Sequence, residues 1–211
     1  MKSFLAIVFL IISSSSLSGQ SDKEATELLD RFSSKAMNAA AIYMEFDLIS
    51  ADIKENSRDT INGSLLLSKD KYKLDLGNNI VWSDGGTSWS YLIAEKEVTI
   101  NKIDKKDNSF QTKPSELFTM YRKGYKNRLV EERQDSYIID LYPEDLNNEL
   151  QRVRLTLARS TLFLRNVEYR RKDGVSVNLA LNVFDLSRKP DPDGYVFKPE
   201  KYKGVEIIDM R

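Results

Sequence analysis

The 211-residue sequence predicts a mainly β protein preceded by one amphipathic helix, and three observations predict it. From Met44 onward apolar residues recur with a period of two rather than 3.6. About ten or eleven short runs of that kind follow one another, punctuated by turn residues, which is the pattern of an antiparallel barrel or sandwich. Ahead of them a single stretch, from Ser21 to about Asn38–Ala40, carries its apolar residues at helical spacing.

The helix opens on Ser21-Asp22-Lys23-Glu24, a capping-box pattern with Ser21 as N-cap and Glu24 at the third helical position. Ala25, Leu28, Leu29, Phe32 and Ala36 then form one apolar stripe on an otherwise charged surface. The first strand alternates Met44, Phe46 and Leu48 with Tyr43, Glu45 and Asp47. Ser64 to Leu67 is a short run after Gly63; Tyr72, Leu74 and Leu76 alternate with Lys71, Lys73 and Asp75. Ile80 and Trp82 lead into the turn Asp84-Gly85-Gly86, and Trp89, Tyr91 and Ile93 follow it, then Val98 and Ile100. Residues 105–113 are polar and read as a loop. Pro114 opens a short helical segment with Leu117, Phe118 and Tyr121 on one side and Gly124 as its stop. Strands resume from Lys126, at Tyr137 to Leu141, Val153 to Leu157 and Val167 to Tyr169. Asp173-Gly174 is a hairpin signal before Val175 to Val183. Tyr195 to Phe197 and Val205 to Ile208 are the last two strands expected. Alternation of this sort gives each strand one dry and one wet face. It does not distinguish residues that fill an interior from residues that line a cavity.

Composition excludes much of catalysis. The sequence has no cysteine and no histidine. Disulfides, thiolate metal sites, Cys nucleophiles, Ser-His-Asp triads and most zinc sites are therefore excluded. Carboxylate, Lys or Tyr chemistry stays open, with Asp47, Asp52, Asp84 and Glu97 as the candidates for a hydrolase. Asp84 reads better as turn chemistry beside Gly85. The chain is expected not to be an enzyme and to need no cofactor or metal. With 32 basic and 32 acidic residues there is no positive excess to meet nucleic acid.

The N-terminus reads as an export signal. Met1-Lys2-Ser3 precedes an apolar run from Phe4 to Ile12 and a small-residue stretch from Ser13 to Gly19. The apolar run is about half the ~20 residues a membrane-spanning helix needs. Residues 1–19 are therefore expected to be a signal peptide cut near Gly19–Gln20, leaving 20–211 as one domain in the periplasm.

Three blocks carry a resemblance. The first is Gly63-Ser64-Leu65-Leu66-Leu67-Ser68-Lys69, then Tyr72, Val81-Trp82-Ser83-Asp84-Gly85 and Trp89-Ser90-Tyr91. The second is Pro114-Ser115-Glu116-Leu117-Phe118. The third runs from Tyr195-Val196-Phe197-Lys198-Pro199 through Gly204-Val205 to Arg211. In this order, behind a signal peptide, they resemble the periplasmic outer-membrane lipoprotein carrier family (LolA-like proteins). The resemblance implies a mainly β fold with an α lid: a half-open antiparallel β-barrel covered by short helices. It implies a monomer whose hydrophobic cavity takes lipoprotein acyl chains from an inner-membrane lipoprotein-releasing transporter and passes them to an outer-membrane receptor. On that basis Phe46, Leu65, Leu67, Tyr72, Leu74, Trp82, Trp89, Tyr91, Ile139 and Leu155 are expected to line the cavity. Leu28, Leu29 and Phe32, with Leu117, Phe118 and Tyr121, are expected to form the lid. The family commonly has an Arg-Pro pair, its Arg holding the lid, where this chain has Lys69-Asp70; lysine lacks the planar fork of arginine. Lys69 is the lid-control candidate. The alternative function is a periplasmic lipid or glycolipid binding or sensing module on the same fold.

Overall fold

The computed structural model describes residues 17–104, 110, 112–191 and 193–211, with side chains from residue 22. The one α-helix among the described residues, α1, spans Leu17–Met37. It starts upstream of the expected cap, so Ser21 lies inside it and the expected cleavage site Gly19–Gln20 falls in its first turns; most of the signal segment lies outside the described residues. Its stripe behaves as the spacing requires: Ala25, Leu28, Leu29, Phe32 and Ala36 are all buried, each at most 5% exposed.

Twelve strands follow among the described residues: β1 (Ile42–Asp52), β2 (Ser57–Ser68), β3 (Lys71–Asp75), β4 (Asn79–Ser83), β5 (Thr87–Leu92), β6 (Glu97–Lys102), β7 (Tyr125–Glu132), β8 (Ser136–Pro143), β9 (Leu150–Ala158), β10 (Leu164–Arg171), β11 (Val175–Asp185) and β12 (Glu206–Asp209). All belong to one sheet, in the order β12-β6-β5-β4-β3-β2-β1-β11-β10-β9-β8-β7. The barrel-or-sandwich alternative thus resolves to one open sheet with β12 and β7 as its two edges. Two antiparallel meanders, β1 to β6 and β7 to β11, meet where β11 pairs with β1. The last strand, β12, joins β6 in parallel.

The first hairpin is longer than its apolar residues suggest. β2 begins at Ser57 rather than Ser64, because the mostly polar run Ser57–Asn62 pairs with Asp47–Asp52 of β1. Gly63 therefore lies inside the strand. A Cβ there would come within 2.5 Å of the Phe46 ring, so glycine is what lets that ring lie across β2. At the other glycine with an evident reason, Gly85 has φ +92°, and Asp84 Oδ1 accepts the backbone N–H groups of Gly86 and Thr87 at 2.8 Å each. Asp84 is turn chemistry, as its neighbours suggested.

The Pro114 segment forms two short 3-10 turns, Pro114–Phe118 and Met120–Arg122, rather than an α-helix. Tyr195–Phe197, expected as a strand, is irregular backbone with Tyr195 and Phe197 buried.

The large core lies on one face of the sheet, here the inner face. It combines the α1 stripe, Leu117, Phe118 and Tyr121 of the 3-10 turns, and the inward residues of β1–β3 and β8–β11. Phe32, Phe118 and Phe184 form its aromatic centre, with ring centroids 5.7–6.4 Å apart. A second cluster occupies the outer face of β4–β6: Trp82, Tyr91, Val98, Ile100 and Phe197, with Trp89 and Tyr202 against it.

Candidate functional site: a pocket beside a latched helix

The expected cavity residues divide between these two clusters. Phe46, Leu65, Leu67, Tyr72, Leu74, Ile139 and Leu155 sit on the inner face, each no more than 2% exposed, in the same core as the helix stripe. Trp82, Trp89 and Tyr91 do not join them. They point to the outer face, where the chain after β11 returns and lays Phe197 and Tyr202 on them, with Trp82 and Phe197 ring centroids 5.5 Å apart and Tyr91 and Tyr202 5.0 Å apart. The six residues expected to form a lid, Leu28, Leu29, Phe32, Leu117, Phe118 and Tyr121, all sit in the inner core.

A pocket of about 650 Å³ opens at one end of that core. Phe110, Leu117, Met120, Leu150, Tyr125 and Tyr169 supply its apolar and phenolic wall, and Glu116, Thr119, Arg122 and Lys123 its polar members. Of the residues expected at the site only Leu117 touches it. Burial pushes the phenols of Tyr125 and Tyr169 up, so both stay neutral across the physiological range. The strand pattern places Tyr169 on a dry face; Phe110, Met120 and Tyr125 lie in turns or at a strand start, where no periodicity marks them. Volumes of roughly 300–1,000 Å³ are ordinary for a small-molecule site.

One wall of this pocket is also the fastening of α1. The Tyr121 hydroxyl donates to Asp30 Oδ1 at 2.5 Å, and Arg122 Nε donates to that hydroxyl at 3.1 Å. Arg122 also reaches Ser33 Oγ at 3.3 Å and stands 3.9 Å from Asp30. Burial, then the bond to Asp30, raises the Tyr121 pKa. Asn127 of β7 donates to Thr26 Oγ1 at 3.3 Å, while its own Oδ1 is buried with no hydrogen-bond partner among the described residues. Lys35 Nζ donates to the Thr161 carbonyl at 2.8 Å. These polar contacts surround an apolar stripe and together hold the helix down. Lys69 is not among them: it is exposed in the β2–β3 turn with φ +55°.

The four carboxylates weighed for hydrolysis do not converge. Asp47 accepts from Asn62 across the outer face of β1 and β2; Asp52 and Asp84 accept turn N–H groups; Glu97 begins β6. Among the described residues no helix is long and apolar enough to cross a membrane.

The site is thus a pocket at one end of the inner-face core, next to the turn that fastens α1 to the sheet. The family model described as outer membrane lipoprotein carrier protein LolA matches residues 15–170, and the chain belongs to that family. Comparison with curated proteins gives no match. Among solved structures, an uncharacterized conserved protein from Thermus thermophilus superposes with a TM-score of 0.58 at 10% identity, covering 88% of this chain and 99% of that one. A putative outer membrane lipoprotein-sorting protein domain from Vibrio parahaemolyticus gives 0.45 at 13% identity, over 82% of this chain and 97% of that one. A LolA-superfamily protein from Nitrosomonas europaea gives 0.43 at 11% identity, over 86% of this chain and 99% of that one.

Proposed function

We propose that the protein is a periplasmic carrier that shields lipoprotein acyl chains from water and moves them between the inner and outer membranes. The residue-level support is the pocket of about 650 Å³ walled by Leu117, Met120, Leu150, Tyr125 and Tyr169 at the margin of the latched helix. Burying an acyl chain is worth about 0.8 kcal/mol per methylene, so a free lipoprotein with two or three chains of ~15 methylenes faces a barrier of tens of kcal/mol to crossing water. A carrier removes that barrier without chemistry.

The pocket also sets a limit. With a methylene taken as about the ~30 Å³ share of a water molecule, 650 Å³ holds about twenty methylenes, or one long chain. Further chains require α1 to lift, so that they replace Leu28, Leu29 and Phe32 on the inner face. On this reading the signal peptide directs export, an inner-membrane transporter loads the carrier, and an outer-membrane receptor unloads it.

The test is native mass spectrometry of the protein purified from its own periplasm, together with titration of a fluorescent acyl probe. The expected result is a bound lipid or lipoprotein mass and saturable probe binding. Lipid-free protein that binds no probe at micromolar concentration overturns the proposal.

A further inference from the structure

The inner face changes chemistry halfway across the sheet. One register row runs Ile42, Leu67, Tyr72, Ser83, Ser88, Asn101 from β1 to β6. The next runs Met44, Leu65, Leu74, Val81, Ser90, Thr99. Their β1–β3 members belong to the dry core and Val81 of β4 packs against it; the remaining β4–β6 members, Ser83, Ser88, Asn101, Ser90 and Thr99, carry hydroxyls and an amide. The same strands turn their aromatic residues outward, so the polar floor is not a shortage of apolar residues. It is a choice of face.

Two recesses of about 220 and 370 Å³ stand over this floor and share Tyr72, Ile103 and Thr112. Ser83 lines the first; Asn79, Ser88, Ser90 and Asn101 line the second. Pro114 and Ser115 close the first recess, and the same 3-10 turn gives Glu116 and Leu117 to the acyl pocket. The two sites therefore lie on either side of one turn.

The polar lining is short and neutral. Ser90 Oγ donates to Asn79 Oδ1 at 3.0 Å, which leaves the Ser90 oxygen to accept and the Asn79 amide to donate. Ser83 Oγ accepts from the Gly85 N–H at 3.1 Å and is itself buried in the floor. The charged residues of the two linings come in balanced signs, Asp70 with Lys113 and Asp104 with Lys102. A phosphate headgroup asks for an excess of cations, arginine above all; a bare acyl chain asks for no polar floor at all. Small groups that each donate and accept, beside the apolar surfaces of Tyr72 and Val81, suit a sugar ring, which has hydroxyl edges and C–H faces.

We propose that the recess over β4–β6 is a subsite for an uncharged, polyhydroxylated headgroup, a sugar, carried by a lipid whose chain enters the adjoining inner face. This rests on the acyl-binding reading and adds a headgroup preference to it.

The test compares two ligands with the same chain, dodecyl maltoside and dodecylphosphocholine, titrated calorimetrically below their critical micelle concentrations. The variants are Ser88→Val and Asn101→Leu, both at half-buried strand positions, with thermal melts to confirm folding. The unaltered protein is expected to favour the maltoside by about tenfold, the return on one or two well-made hydrogen bonds. Each variant should lower maltoside affinity several-fold and leave phosphocholine affinity within about twofold, since the chain site is untouched. Equal affinities for the two ligands, or a maltoside preference that survives both variants, overturn the sugar subsite while leaving acyl binding intact. Binding of neither ligand overturns both readings.

Discussion

The fastening of α1 can be loosened at one atom. Tyr121→Phe removes only a hydroxyl; the ring, 3% exposed in the core, stays in place. What is lost is the 2.5 Å bond to Asp30 and the 3.1 Å bond from Arg122. A hydrogen bond to a charged partner contributes about 1.5–3 kcal/mol, but Asp30 is more than half exposed and water replaces the phenol there, so about 1 kcal/mol is the working figure. For a domain of this size that lowers Tm by about 2–4 °C. If cargo enters by lifting the helix, the same ~1 kcal/mol favours the open form, and the apparent affinity for an acyl probe rises about fivefold, with the gain in the association rate. Thermal melts and stopped-flow probe binding measure the two effects on one sample. A variant whose Tm falls as expected while probe affinity and association rate stay unchanged would falsify the lid reading. In that case α1 is a permanent part of the core, and cargo uses the side pocket alone.

Other perturbations test the frame around that helix. Gly63→Ala should destabilise by about 1–3 kcal/mol, because its Cβ would stand 2.5 Å from the Phe46 ring and 2.9 Å from the Asp75 carbonyl; an unchanged denaturation midpoint counts against the close approach. On the outer face Asp140, 1% exposed, accepts from Arg154 Nε and Nη2 at 2.6 and 2.8 Å and from the Tyr142 hydroxyl at 3.0 Å. Asp140→Ala leaves those donors unpaired and should cost about 3 kcal/mol, the low end for breaking a buried pair because both neighbouring arginines keep some water; urea denaturation reads it. In alkali, Tyr125 and Tyr169 should ionise above the ordinary value of 10.0 because burial disfavours the phenolate. The folded pKa values are raised, so the stability they confer is complete below pH 10 and is lost as pH climbs through the folded values. Spectrophotometric titration should show a late tyrosine class that titrates with unfolding; a single class near 10 would contradict the buried pocket wall.

Period two and the turn residues were enough to place most strands, and period 3.6 the helix stripe, because both follow from local backbone geometry. The choice of face was not legible. Trp82, Trp89 and Tyr91 alternate as cleanly as Leu65, Leu67 and Tyr72, yet they face the other way, since their partners Phe197 and Tyr202 arrive from about a hundred residues later in the chain. The complementary sign was present in Ser83, Ser88 and Ser90, which alternate with the aromatics and need an environment of their own. The hairpin extension Ser57–Asn62 was missed because it is exposed on both faces and has no alternation to read. The latch was hidden for a different reason: Asp30 and Tyr121 are 91 positions apart, and no local pattern couples a helix carboxylate to a distant phenol.

The proposed carrier role requires letting go as readily as taking hold, and the inner face supplies a means for both. Leu28, Leu29 and Phe32 already cover the floor that an acyl chain would cover. Exchanging one for the other swaps apolar burial for apolar burial, and to first order the area terms cancel. The balance then falls to the polar contacts that only the closed form makes: Tyr121 with Asp30, Asn127 with Thr26, and Lys35 with the Thr161 carbonyl. Each is worth about 1 kcal/mol, so together they are large enough to keep the empty protein closed and small enough for a membrane or a partner to override. The buried Asn127 Oδ1, without a partner among the described residues, weakens the closed form further at the point where β7 meets the helix. On this account release needs no energy source at the carrier, and its affinity is set by a few hydrogen bonds at the margin of the helix rather than by the size of its hydrophobic interior.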